Sequence, residues 1–373
     1  MTITSLDRWV FRAPVENAVR NAFGAMSNRP ALFLRITASD GAFGWGEVFC
    51  NFPQVGAEHR ARLVSSIFAP LVAGMPDDDP ATVRAQLETR TRRMAIQCGE
   101  PGPFAQIIGA IDQALWDLGA RRAGVPLWRH LARPGEGVAR VRVYASGIGP
   151  EGVVELARKR WQDGYRAFKL KVGFDPQVDR ANLVALRDTL GPETPIMIDA
   201  NQAWHPSDAR ARIAALADLR PTWVEEPLAA DETLSDWSAL ARDCALPLAA
   251  GENLRGETEF HAAIDAGYLR FVQPDVGKWG GMTGCLAVAR HALAKGVEVC
   301  PHWLAGGIGL AHSMHLRAAL GEGGFVEVDA NPNPLREDVL RLEVVDGFAA
   351  LDDASGLGFE PDLAPLQEFL INV

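Results

Sequence analysis

Seven polar residues, Lys171, Asp199, Glu225, Glu252, Asp275, His302 and Glu327, each stand where a short apolar run gives out. They follow one another at intervals of 28, 26, 27, 23, 27 and 25 residues. A strand, a crossover helix and their connections need a segment of about that length. The apolar runs are Val141–Ala145, Ala167–Val172, Pro195–Asp199, Thr222–Glu226, Pro247–Glu252, Leu269–Asp275, Val297–His302 and Phe325–Val328, and segments such as 177–190 and 234–244 are long enough for the helices between them. The pattern predicts an α/β fold with a (β/α)8 barrel rather than an open sheet. Reactive groups of such barrels sit at the carboxyl ends of the strands, so the seven side chains are expected to ring one mouth. A single strand-end charge is ordinary solvated surface. Seven in register are not.

Residues 1–125 read differently, as short strands (Ala31–Ala38, an Asp40-Gly41 turn, Gly44–Glu47) followed by helix, with Ile108, Ile111, Ala114, Leu115 and Leu118 on one apolar face. This predicts an α+β first domain, a linker at Pro134–Gly137, a barrel over 126–330, and a tail over 331–373 that packs back on the first domain. A length of 373 residues, 48% hydrophobic and 23% charged, suits two globular domains. The net charge of −10 argues against nucleic acid and anionic membrane as partners. The first residues lack a basic segment followed by an apolar run, and no run of eighteen apolar residues occurs, so a cytoplasmic protein is expected. Cys50, Cys98, Cys244, Cys285 and Cys300 are odd in number and contain no CxxC, so they read as reduced thiols.

Within Phe168-Lys-Leu-Lys-Val, the two-residue period of a strand puts Lys169 and Lys171 on one face and Phe168, Leu170 and Val172 on the other. With the apolar set against helices, both amines face the barrel interior. Two neighbouring cations depress each other's pKa, which would leave one able to act as a base. Asp199, Glu225 and Glu252 offer three oxygen ligands without His or Cys, a set that suits Mg2+ first and Mn2+ second. Pairing with the two lysines is the purely structural alternative. Spacing leaves open which of Glu225 and Glu226 points inward. Asn201, two residues beyond Asp199, shares its face and would orient a ligand. Asp275 and His302 end neighbouring strands, within reach of an Asp-oriented imidazole that acts as acid or base. His312 and His315 fall in a helical run and read as structural, and Gly306-Gly-Ile-Gly reads as a plain turn.

Taken together, Gly41–Glu47 (GAFGWGE), Ala110–Gly119 (AIDQALWDLG), Lys169-Leu-Lys171, Asp199-Ala-Asn-Gln-Ala-Trp204, Trp223-Val-Glu-Glu-Pro227, Gly251-Glu-Asn253, Gln273-Pro-Asp275 with Gly280-Gly281, and Cys300-Pro-His302-Trp303 resemble the enolase superfamily, mandelate racemase/muconate lactonizing enzyme group, over essentially the whole chain. The resemblance implies a modified TIM barrel under an α+β capping domain built from both chain ends, with Mg2+ on Asp199, Glu225 and Glu252. It implies removal of a proton α to a carboxylate by Lys171, assisted by Lys169, through an enediolate that the metal stabilises. His302, oriented by Asp275, would then protonate a β-hydroxyl, dehydrating a sugar acid to a 2-keto-3-deoxy acid. The alternative is return of the proton to the α-carbon, making the enzyme a racemase or epimerase. Glu327 is similar in place to a family residue that hydrogen-bonds the substrate carboxylate, and would donate to the enediolate if protonated. Lys278 lies near a catalytic lysine of other members, but reads here as a basic loop residue. Capping loops at 14–29 and 52–59 would choose the substrate and bring Asn17, Arg20 and Asn21 to it. A homo-oligomer is also implied. The competing class, a non-catalytic barrel that binds a ligand, would have no need to keep buried like charges.

Overall fold

The computed structural model describes residues 1–373 apart from Phe23 and the side chains of Glu16, Asn17, Ala18 and Asn21. The capping domain is built on an antiparallel hairpin of two long strands, Ile3–Asn21 and Gly24–Ala38, with Phe43–Val48 added to the second. The helices Pro80–Gln97 and Pro101–Ala123 pack with this sheet. Asp79 accepts from Thr82 N at the start of the first, and Gly124, at φ 68°, ends the second in the left-handed conformation that suits a residue without Cβ. Strand Phe43–Val48 lies unusually close to helix Pro101–Ala123. A Cβ on Gly44 would sit 2.1 Å from Ala114 O, and one on Gly46 would sit 2.0 Å from Ala110 O. The glycines of the GAFGWGE segment are therefore what brings strand and helix together.

Eight parallel strands form the barrel: Arg140–Ile148, Phe168–Lys171, Ile196–Asp199, Val224–Glu225, Leu248–Ala250, Phe271–Val272, Glu298–Val299 and Val326–Asp329. The eighth pairs with the first, Val326 opposite Val143, while the seventh and eighth meet through Glu327 N donating to Pro301 O at 3.4 Å. Helices of ten residues or more follow most strands, and their starts carry the expected caps, with Asp175 accepting from Gln177 N and Val178 N, and Thr233 from Asp236 N. After the eighth strand the helix shrinks to the four residues Pro334–Glu337, which is where this barrel departs from full (β/α)8 symmetry.

The tail divides. Phe348–Ala350 pairs antiparallel with the first barrel strand, whereas Leu370–Ile371 joins the cap sheet beside Ile3–Asn21. The tail also meets the cap along its length, with helix Pro334–Glu337 against the two long cap strands and Glu360 Oε1 accepting from Trp45 Nε1 at 3.2 Å. Phe168, Leu170 and Val172 belong to the apolar shell between strands and helices. Tyr144, Ala167, Met197, Trp223, Ala249, Cys300 and Phe325 fill the barrel interior as a separate cluster. Trp223 packs edge-on to Tyr144 with ring centres 5.7 Å apart. This aromatic floor forces every polar group above it toward the mouth. Among the described residues, no helix is long and apolar enough to cross a membrane.

Candidate active site

Above the floor, alternate residues of each strand continue inward and become polar. Lys169 is completely buried, 2.5 Å from Glu225 Oε1, 2.8 Å from Glu327 Oε1 and 3.6 Å from Asp199 Oδ2. One step higher, Lys171 Nζ lies 2.5 Å from Asp199 Oδ2 and lines a cavity of about 230 Å3. Burial pulls both ammonium groups down, but the carboxylates facing them outweigh it and leave both raised. Lys169 does depress Lys171, but Asp199 and the other carboxylates outweigh it, so neither amine ends below its ordinary value.

The inward glutamate of the pair is Glu225. Its Oε2 accepts from Trp223 Nε1 at 3.2 Å and from Gln273 Nε2 at 2.5 Å. Burial, and then Asp199, push its carboxyl up to about 7 against the pull of Lys169. Glu226 is held by Asn253 Nδ2, 2.9 Å from each oxygen. Asp199 Oδ1 accepts from Asn201 N at 2.8 Å. Asn201, Gln202 and Glu226 have φ of 44°, 65° and 40°, a conformation that costs non-glycine residues energy and that gathers at functional sites. Asn201 Oδ1 and Glu327 Oε2 are buried without a hydrogen-bond partner.

His302 Nδ1 lies 2.5 Å from Asp275 Oδ2, and Asp275 Oδ1 is fixed by Gly277 N at 2.8 Å and Lys278 N at 2.9 Å. The other ring nitrogen is 3.2 Å from Glu252 and 3.6 Å from Glu327. Burial lowers the imidazole pKa, but Glu252, Glu327 and Asp275 together raise it to about 9, so the ring holds its proton at neutral pH. Glu327 behaves in the opposite way to the protonated donor expected. Burial favours its acid form, but Lys169 and His302 prevail and hold it below the usual carboxylate range, with Ser146 donating to it. It is an acceptor.

Lys278 is not a plain loop residue. Its ammonium pairs with Glu252 and lies 3.3 Å from Asn253 Oδ1, on the cavity wall beside Lys171 and His302. The cap contributes Phe49, Asn51, Phe52 and Gln106 to the same wall. Residues 14–21 and 24–29 belong to the two long strands of the hairpin rather than to a loop. Arg20 is exposed, 3.8 Å from Glu151, and outside this cavity. The side chains of Asn17 and Asn21 lie outside the described residues. Ser146 and Gln106 escaped sequence reasoning because neither is a charged residue at a strand end.

The mouth holds six acidic side chains (Asp199, Glu225, Glu226, Glu252, Asp275, Glu327) against three lysines and His302, and burial together with Glu252 pushes the Glu226 carboxyl well above the usual carboxylate range. Among the described residues, no three acidic, histidine or cysteine side chains close on one point as a cage. The lysines stand between them. The donors are nevertheless all oxygen, and buried oxygens without a hydrogen-bond partner remain at Asn201 and Glu327. The residues fit a hard divalent cation.

Residues 152–364 match the family described as Enolase C-terminal domain-like, and residues 3–131 match Mandelate racemase / muconate lactonizing enzyme, N-terminal domain. The chain belongs to the mandelate racemase/muconate lactonizing enzyme group of the enolase superfamily. A solved structure of a mandelate racemase/muconate lactonizing enzyme from Bordetella bronchiseptica RB50 is 48% identical, superposes with a TM-score of 0.91, and covers 99% of both chains. L-Talarate dehydratase from Polaromonas sp. JS666, complexed with Mg and L-glucarate, is 27% identical with a TM-score of 0.83 over 100% of this chain and 98% of its own. Among curated relatives, a D-galactonate dehydratase from Verminephrobacter eiseniae is 30% identical over 88% of each chain. A D-galactarolactone cycloisomerase from Agrobacterium fabrum is 28% identical over 99% of each. The capped barrel is thus that of the superfamily, and the chain is an enzyme of the lyase or racemase type.

Proposed function

We propose that this enzyme removes the proton α to the carboxylate of a sugar acid and expels the β-oxygen, giving a 2-keto-3-deoxy acid. The observation that carries this reading is the pair of opposed groups on one cavity, Lys171 on one strand end and the Asp275-backed His302 on another. Of the two lysines on this strand, Lys171 is the base because it reaches the cavity, whereas Lys169 is shut in and serves as a fixed positive charge. His302 arrives charged and gives its proton to the leaving oxygen, which must depart as water or as an alcohol rather than as hydroxide. Asp275 holds the ring and stabilises its cation. Glu327 accepts hydrogen bonds from Lys169 and Ser146 and keeps the lysine aimed inward.

Asp199, Glu225 and Glu252 would hold Mg2+, with Asn201 orienting Asp199. When bound, that ion would supply the positive charge that acidifies the α-proton, and Lys171, the proposed base, pairs with Asp199, one of the carboxylates that would hold it. Gln106, Asn51 and Lys278 offer the cavity wall polar contacts for hydroxyls or a second carboxylate. The dehydratase and cycloisomerase relatives support this reading, since a β-hydroxyl and a ring oxygen leave by the same acid-assisted elimination. Racemisation remains the second reading, because His302 could return its proton to the α-carbon.

The test is incubation of D-galactonate and a library of acid sugars with the enzyme and Mg2+ in D2O, following the α-proton by NMR and 2-keto product with semicarbazide. Keto-acid formation is the expected outcome. Exchange with inversion and no keto acid would replace elimination by racemisation, and no exchange with any acid would overturn both.

A further inference from the structure

The Asp275–His302 pair is gripped from outside the barrel. Glu47, on the cap strand Phe43–Val48 and fully buried, accepts from Gly306 N through Oε1 at 2.6 Å and from Gly309 N through Oε2 at 2.9 Å. These amides belong to the segment that follows His302. Gln113, on the cap helix Pro101–Ala123, donates to Val276 O at 2.9 Å, directly after Asp275. The same amide ties itself to Glu47, accepting from Glu47 N at 3.0 Å and donating to Glu47 O at 3.2 Å. Two further bonds close the clasp, Phe49 N to Gly277 O at 3.4 Å and Asn51 Nδ2 to Leu304 O at 2.5 Å. Between the two gripped segments sits the Trp303 indole, with so little room that a Cβ on Gly277 would lie 2.6 Å from the ring and one on Gly309 would lie 2.0 Å from it.

We propose that Glu47 and Gln113 are positioning residues for the Asp275–His302 pair, through which the cap sets how far the imidazole reaches into the cavity. The inference rests on the proposed roles of Lys171 and His302. Neither residue lines the cavity. Both act on backbone groups one to seven residues from the pair, on opposite sides of Trp303. Lys171 stands on the second barrel strand, outside this clasp. A disturbance of the clasp therefore displaces the acid and spares the base.

The same cap helix carries its own control. Asp117, equally buried, accepts from Trp45 N and Leu357 N, each at 2.9 Å, and so ties the cap to the tail without touching either gripped segment. Glu47→Gln turns one acceptor into a donor facing an amide, and Gln113→Leu removes the bond to Val276.

The experiment compares Glu47→Gln, Gln113→Leu and Asp117→Asn with the unaltered enzyme, with Mg2+ and D-galactonate, by keto-acid formation and by α-proton exchange in D2O. Because misplacing a group by about 1 Å costs on the order of 10²-fold, Glu47→Gln and Gln113→Leu are expected to lower turnover at least about tenfold while exchange stays within about twofold. Asp117→Asn should move both by one factor. Proportional loss of exchange and turnover in Glu47→Gln and Gln113→Leu, as in Asp117→Asn, would overturn the proposal. Amide hydrogen exchange over 303–309 gives a readout that needs no substrate, so it separates failure of the clasp from failure of the proposed chemistry. Protection there should drop in Glu47→Gln and Gln113→Leu but not in Asp117→Asn, and unchanged protection would equally overturn the proposal. Should Glu47→Gln not fold, Glu47→Asp keeps the carboxyl group, shortens its reach, and is read in the same way.

Discussion

The ammonium groups of Lys169 and Lys171 stand on the same side of one strand, yet the first is enclosed by Glu225 and Glu327 while the second pairs with Asp199 and opens on the cavity. Two residues of separation thus divide an enclosed charge from the proposed base that opens on the cavity. Replacing each tests the division. Lys171→Ala should leave the fold intact and reduce both α-proton exchange and turnover by about 10²–10⁴-fold. Lys169→Met strands Glu225 and Glu327 without their cation, so it should cost about 3 kcal/mol in urea unfolding besides abolishing activity.

His302→Asn removes the acid and leaves Lys171 in place. Turnover of a β-hydroxy acid should fall by about 10²–10⁴-fold, while the α-proton still exchanges with D2O. Loss of exchange together with turnover would contradict the assignment of base and acid to opposite walls.

Acidic oxygens crowded into a buried mouth predict stabilisation by Mg2+ in the absence of any substrate. At a concentration near 100 times its dissociation constant the ion should add about 2.7 kcal/mol, seen as a rise in the thermal midpoint that a chelator reverses. Asp199→Asn should abolish that rise, and an undiminished rise would place the ion elsewhere.

Stability should decline on the acid side through two histidines far from the chemistry. Burial pushes His312 down to about 3 and His315 down to about 4. His315 accepts from Trp128 N at Nδ1 and has Nε2 3.1 Å from Leu357 O, an arrangement that needs the neutral ring. A folded-state pKa below the unfolded value means that the unfolded chain takes up the proton first. The contribution is therefore fully present above about pH 6.5 and is lost as pH falls from there toward 4, at up to about 1.4 kcal/mol per pH unit for each ring. Urea midpoints of the unaltered protein and His315→Gln, measured between pH 7 and 4.5, should converge as the pH falls. Parallel curves would refute the argument.

The barrel and most of its mouth were legible because two periodicities coincide. The two-residue alternation inside Phe168–Val172 sets which face is polar, and the spacing of about 25 residues repeats that choice strand after strand. The roles assigned to individual groups were less legible, because they depend on which charges meet. Glu327 was expected to donate, but Lys169 lies 2.8 Å from it, and no spacing rule brings together residues 158 positions apart. Lys278 gave a weak signal for a related reason, since its place in the cavity follows from the turn that Asp275 Oδ1 fixes at residues 277 and 278. The stretch of residues 14–21 and 24–29 was expected as a loop that chooses the substrate. Its residues extend the hairpin instead, with Pro14 opposite Asn28 and Val19 opposite Met26.

The cap sheet joins Val10 to Ile371, so its outermost strand comes from residues synthesised long after its neighbour. While the chain is emerging from the ribosome, the edge of Ile3–Asn21 must wait through the synthesis of the entire barrel. Contacts of such long range are slow to form and leave a strand edge uncovered in the meantime. Until then Val10 and Phe11 lack their partners on that edge, and a carboxyl-terminal truncation by a few residues would prolong that state into the finished protein.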